Sequence, residues 1–207
     1  MPLHEIQLSA SESNWRLFMV RRADQAFLTF KTKILERDEY TCQFCGYRAK
    51  KNLDIVNLNG NYKDNRVSNL ITACPLCTQC FFLEAIGKGD FGGGTLIYLP
   101  EMTQTELNAL CHTIFAVITN SSPLATQARN IYRSFRLRSQ QIEKVVGDGL
   151  SNPSLYGRLL IDTNIKNLDA ITTKLTPILR LLPDMSRFDW QAHEWTKSAL
   201  EELTYHD

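Results

Sequence analysis

Four cysteines in two CxxC pairs carry the clearest chemistry in this chain of 207 residues: Cys42-Gln43-Phe44-Cys45 and Cys74-Pro75-Leu76-Cys77. Each pair can place two thiolates on one metal ion. Two pairs close a tetrahedral S4 shell, the donor set of a structural zinc site. The 28 residues between the pairs exceed the simplest zinc-ribbon spacing. The alternative for such cysteines is burial without metal. Cys80 lies three residues beyond Cys77 and is placed to compete as a ligand, but two full pairs leave it no vacancy, so it reads as a bystander thiol. Cys111 falls on the apolar face of a predicted helix and reads as a core residue. A zinc site of this kind contributes on the order of 10 kcal/mol or more to folding.

Composition narrows the function classes. Hydrophobic residues make up 43% and charged residues 22%, which is ordinary for a globular chain. A net charge of +1 is lower than a dedicated non-specific DNA binder would carry. No apolar run reaches the roughly 18–20 residues of a transmembrane helix. Met1-Pro2-Leu3-His4-Glu5 lacks the basic and apolar regions of a signal peptide, so a cytoplasmic location is expected. In that reducing compartment, six cysteines point to metal ligands or free thiols rather than disulfides.

Two other features bear on function. Residues 87–94 are rich in glycine, but the lysine precedes the glycines and no Gly-Lys-Ser/Thr follows, so they read as a flexible connector rather than a phosphate loop. Arg129, Arg133 and Arg136 recur at i, i+4 and i+7 with Arg138 nearby, and residues 121–146 hold five basic residues against one acidic. Such a stripe suits an acidic partner or nucleic acid, or is simply a solvated face. It lacks the interleaved aromatics of a single-strand binder.

The elements that must position these residues follow from pattern. Residues 14–22 read as a short strand, and Asp24 as the cap of a helix over about 25–37 with Phe27, Phe30, Ile34 and Leu35 on its apolar face. Leu53 to Leu58 alternates and meets Asn59-Gly60, a hairpin turn signal. A helix is expected over about 75–86 and a strand over 95–99, stopped by Pro100. Helices follow over about 104–119, from Ser122-Pro123 to Gly147, over 162–181, and over 187–204. Trp190 and Trp195 cannot share one narrow stripe of the last helix, which leaves one as an exposed candidate hot spot. The pattern gives an α+β chain, with a metal-centred region over 1–94 and a mainly α-helical region over 95–207.

Leu35 to Gly46, Gly60 to Asn65 and Asn69 to Cys77 together resemble the ββα-metal motif of HNH endonucleases. The resemblance implies a hairpin and helix around a catalytic divalent metal, with a separate zinc tying the ends. The departures decide what it implies here. Where the family has a metal ligand and a general-base histidine, this chain has Val56 and Asn57, and a further ligand position after the second knuckle holds Thr78. Only the middle asparagine remains, as Asn69. An amide is no general base near neutral pH, and valine cannot bind a hard cation. His4, His112, His193 and His206 all lie outside the motif. The scaffold reads as catalytically dead, with no catalytic residue and one Zn2+ on Cys42, Cys45, Cys74 and Cys77.

Over its whole length, including Gly92 to Met102, the chain resembles the IcmJ (DotN) family of the Dot/Icm type IV secretion system. That resemblance implies a non-enzymatic subunit of the coupling complex. Such a subunit binds the cytosolic tail of the coupling ATPase DotL, near the adaptors IcmS and IcmW, and aids effector recruitment. It would sit at the inner membrane only peripherally, through the complex. The competing readings are a nucleic-acid-binding module derived from an HNH nuclease, and an active nuclease with unusual ligands.

Overall fold

The computed structural model describes residues 3–163 and 173–204. Two helices lead: α1 (Glu12–Ala23) and α2 (Gln25–Arg37). The strands β1 (Asp54–Asn57) and β2 (Leu70–Ala73) form an antiparallel hairpin that runs into the short helix α3 (Pro75–Thr78). After β3 (Gly94–Tyr98) come four helices, α4 (Gln104–Thr119), α5 (Ala125–Leu137), α6 (Ser139–Val146) and α7 (Pro153–Asp162). The strand β4 (Leu179–Pro183) and the helix α8 (Met185–Thr204) complete the order. The arrangement is α+β, with helices around two small antiparallel sheets. No described helix is long and apolar enough to cross a membrane.

Residues 14–22 are helical rather than extended. The Ser11 hydroxyl accepts from the Asn14 amide and caps α1. Burial then falls at positions 14, 17, 18 and 21, the i, i+3, i+4, i+7 pattern of a helix. Arg21 disguises that pattern, because a buried arginine does not count as apolar. The hairpin register pairs Asp54 with Ala73 and Asn57 with Leu70. Its connection runs from 58 to 69, so Asn59-Gly60 is a turn within a long loop rather than the two-residue hairpin turn expected.

The helix expected over 75–86 stops at Thr78 and continues as two 3-10 turns, Gln79–Phe81 and Leu83–Ala85. The N-terminal segment explains the break. The Ser9 amide bonds the Cys80 carbonyl at 3.0 Å, and the Ser9 carbonyl takes the Leu83 amide at 3.1 Å. In the glycine-rich stretch residues 87–90 are exposed, but Gly92, Gly93 and Gly94 are packed rather than a loose tether. A Cβ on Gly92 would lie 2.5 Å from Gln79 Oε1, and one on Gly94 would lie 2.5 Å from the Leu182 carbonyl.

Further on, α5 and α6 divide at Arg138 the helix expected from 123 to 147. The Arg138 carbonyl accepts the Tyr98 amide from β3, and α6 turns there to bury Ile142. Part of the helix expected over 162–181 lies outside the described residues, but 179–183 is a strand. Leu179 and Leu181 pack into one cluster and Leu182 into another, while β3 supplies the ladder. The larger cluster joins Phe18, Phe44, Leu76 and Phe82 to Leu107, Phe115, Phe188 and Trp195. Apolar residues on both sides of position 94 therefore share one core.

Candidate metal centre

The first cysteine pair sits in a tight turn after α2. The Gly46 amide bonds the Cys42 carbonyl, Gly46 takes φ +74°, and the Cys42 amide bonds the Tyr47 carbonyl at 2.8 Å. Cys74 ends β2, Pro75 opens α3, and Cys77 lies on its first turn, with its amide on the Cys74 carbonyl. The Gln43 amide bonds the Thr72 carbonyl at 2.9 Å and draws the two turns together. All four cysteines are buried, and their sulfur atoms lie within 4.8 Å of one another. Cys45 Sγ and Cys74 Sγ are 3.6 Å apart. A tetrahedral zinc with Zn–S bonds of about 2.3 Å has S···S edges of about 3.7 Å, so the donor set and spacing fit a metal ion.

The electrostatics fit as well. Burial raises the Cys42 thiol, but hydrogen bonds from Cys45, Cys74 and Cys77 outweigh it and hold Cys42 well below the ordinary thiol value. Burial and the neighbouring sulfurs push Cys74 and Cys77 well above it. A cation among the sulfurs would favour their thiolate forms, as metal binding does for cysteine ligands generally. When bound, a zinc ion would be held by these four thiolates as a closed structural centre with no open position for substrate. Cys80 is buried, donates to the Leu76 carbonyl at 3.4 Å, and is raised to about 12 by burial. Cys111 is likewise buried and raised to about 12.

Two residues beside the cluster were not among the sequence candidates for the metal site. From α4, Asn108 Nδ2 lies 3.3 Å from Cys77 Sγ, and His112 Nε2 lies 3.2 Å from Cys74 Sγ. The His112 ring stacks on Tyr47 at 3.8 Å and meets the edge of Trp195 at 4.9 Å. A signal was present: Asn108 and His112 stand four apart on a helix face otherwise made of Leu107, Cys111, Ile114 and Phe115. The other described histidines are elsewhere, His4 beside Phe44 and His193 on the exposed side of α8 near Asp189. His206 is outside the described residues.

The positions at which the HNH resemblance would put chemistry are closed. Val56 is fully buried. Asn57 Oδ1 accepts from Arg21 Nη1 at 2.5 Å, and Asn57 Nδ2 donates to the carbonyls of Asn61 and Asp64. Asn69 Nδ2 reaches the same Asp64 carbonyl, and its Oδ1 accepts the Asn59 amide. Both amides thus pin the 58–69 loop. Arg21 also donates to the Ile55 carbonyl at 2.7 Å and lies over the Phe27 and Tyr62 rings. Thr78 is buried, and its hydroxyl has no partner.

Outside the metal centre, Arg129, Arg133 and Arg136 are exposed on α5, whereas Arg138 pairs with Glu101. Exposed Leu124, Ile131 and Leu137 accompany them. Trp195 is buried at 6% exposure, and Trp190 is 57% exposed. Trp190 lines a cleft of about 270 Å³ together with Arg22, Lys31 and Asp54.

No family model matches the chain. A curated relative does: the "Type 4 apparatus protein DotN" of Legionella pneumophila is 51% identical over 199 residues, covering 96% of this chain and 92% of that protein. Identity at that level along nearly both full lengths shows the family, and the chain belongs to the DotN (IcmJ) family of type IV secretion apparatus proteins.

Proposed function

We propose that this chain is a non-enzymatic subunit of a type IV secretion coupling complex. In this reading it binds the cytosolic tail of the coupling ATPase DotL, with the adaptors IcmS and IcmW in the same complex, and aids effector recruitment. It would be cytoplasmic and reach the inner membrane only through that complex. One structural zinc on Cys42, Cys45, Cys74 and Cys77 would order a scaffold that is HNH-like but catalytically dead. The observation that carries this reading is the 51% identity to a type 4 apparatus protein along 96% of the chain. The committed hydrogen bonds of Asn57 support the absence of catalysis, since both ends of its amide are already bonded.

The α5 arginines support an acidic contact on the partner. Arg129, Arg133 and Arg136 have no described anionic partner, and exposed Leu137 directly follows Arg136. An exposed leucine at the end of an arginine stripe suits an acidic amphipathic segment of protein better than a nucleic acid backbone. The same arginines are the one observation behind a second reading, a nucleic-acid-binding module.

The test is purification of the native complex from the host, with bound proteins identified by mass spectrometry. The coupling ATPase in the eluate is the expected result. Nucleic acid alone, with affinity that falls steeply as salt rises, would favour the second reading. Purified protein should carry about one zinc and show no cleavage of DNA or RNA with added magnesium or manganese. Metal-dependent cleavage that survives stringent purification would sink the non-enzymatic reading.

A further inference from the structure

We propose that Asn108 and His112 complete the metal centre from outside its coordination shell. They donate N–H···S hydrogen bonds to Cys77 and Cys74, so the metal fastens α4, β4 and α8 to the cysteine turns. This rests on the reading of the four cysteines as metal ligands.

Both side chains are buried on α4 one helical turn apart. A buried amide or imidazole is costly unless its polar atoms find partners. Asn108 Nδ2 has two protons and two near partners, the Leu76 carbonyl and Cys77 Sγ, both at 3.3 Å, with Cys80 Sγ farther off at 3.8 Å; His112 Nε2 faces Cys74 Sγ at 3.2 Å. His112 Nδ1 has no partner among the described residues, and opposite a metal-bound thiolate, which has no proton to give, Nε2 is the nitrogen that must donate. The imidazolium would donate through the same atom, so the bond does not depend on the charge of the ring. A zinc ion with four thiolates carries a net charge of −2 in an enclosed site. N–H donors to sulfur spread that charge and fix the ligands, the work outer partners do around metal centres generally.

Each donor is held from the far half of the chain. Asn108 Oδ1 accepts from Gln104 Nε2 at 2.9 Å, and Gln104 bonds both the carbonyl and the amide of Leu181 on β4. The His112 ring lies between Tyr47, from just beyond the first cysteine turn, and Trp195 of α8. Two relays therefore end on sulfur: β4 through Gln104 and Asn108 to Cys77, and α8 through Trp195 and His112 to Cys74.

The test uses the full-length zinc-loaded protein and three variants. N108L removes one donor, H112F keeps an aromatic ring for the stack, and H112Q retains a side-chain amide donor. Two quantities are read: the rate of zinc transfer to a chromogenic chelator, and the sulfur-to-metal charge-transfer band of the cobalt(II)-substituted protein. Removing a donor should speed zinc release about 10–100-fold. It should also move the band to lower energy, because the sulfur lone pairs lose a stabilising hydrogen bond. H112Q should recover much of both effects. Release within about twofold of wild type in folded N108L or H112F overturns the proposal, and so does faster release with an unmoved band, which marks mere loosening. If H112F fails to fold, N108L and H112Q still decide the matter. A wild-type protein that takes up neither zinc nor cobalt overturns the metal reading itself, and this proposal with it.

Discussion

Both ends of the β1–β2 hairpin bury polar groups, yet these groups are arranged for opposite purposes. At the cysteine end, four sulfurs converge within 4.8 Å of one another and few backbone groups occupy them. On the proposed reading a bound cation would close this arrangement and make the site a fastener. At the loop end, the polar atoms of Asn57, Asn69 and Arg21 are saturated by one another and by the loop backbone. A hydrogen-bonded amide needs nothing further and activates nothing. On the reading of this scaffold as HNH-like, the end that holds structure has kept its ligands, and the end that would do chemistry has been rebuilt as a clamp.

The comparison breaks most directly at the cysteines. Replacing Cys74 with serine should abolish metal retention and cooperative folding together, since structural zinc contributes on the order of 10 kcal/mol to domains of this kind. Far-UV circular dichroism and metal analysis on the same sample would check it. A C74S protein that keeps native secondary structure and a sharp thermal transition would show that the apolar core alone holds the cysteine turns.

The loop end should respond less. Arg21→Met preserves much of the stem packing against Phe27 and Tyr62 but leaves Asn57 Oδ1 and the Ile55 carbonyl without their donor. Two stranded acceptors should cost about 2–4 kcal/mol. Urea unfolding would read that loss, with bound metal unchanged because the cysteines are untouched. Loss of metal in R21M would mean that the two ends are one unit, against the division drawn above.

What was legible in the residues follows the range of the interactions. The cysteine ligands could be read because two-residue spacing is a local code. So could α4, whose capping box joins Thr103 to Glu106 within one turn. The helix α1 was misread because its most important inward residue, Arg21, is charged and finds its partners 34 and 36 positions away. The strand β4 was misread because its leucine run suits a helix, and only β3, some 80 residues earlier, makes it a strand. Asn108 and His112 belong to the same class. Their type and spacing were visible, but the sulfurs they face come from elements folded onto α4 from more than 30 residues before it.

Glu84 sharpens the comparison with the smallest effect. Near the hairpin, Asn57 and Asn69 clamp the loop, while Asn108 and His112 face the cysteine sulfurs. Glu84 is buried, and only the backbone of Glu84 and Ser11 and the charge of Lys88 offset the cost of burying its carboxylate. Burial raises its pKa above the ordinary glutamate value. A carboxyl whose folded value lies above its unfolded value favours folding at low pH, and that contribution is lost as pH rises through the folded value. Glu84→Gln keeps the shape and removes the charge. The variant should match wild type near pH 4 and become the more thermostable of the two as pH rises towards 8. Melting curves across that range would check it, and a wild type that stays as stable as the variant at pH 8 would mean that the ionised carboxylate is satisfied after all. In that case the ionised Glu84 would be satisfied where it lies, as the amides of Asn57 and Asn69 are at the loop end of the hairpin.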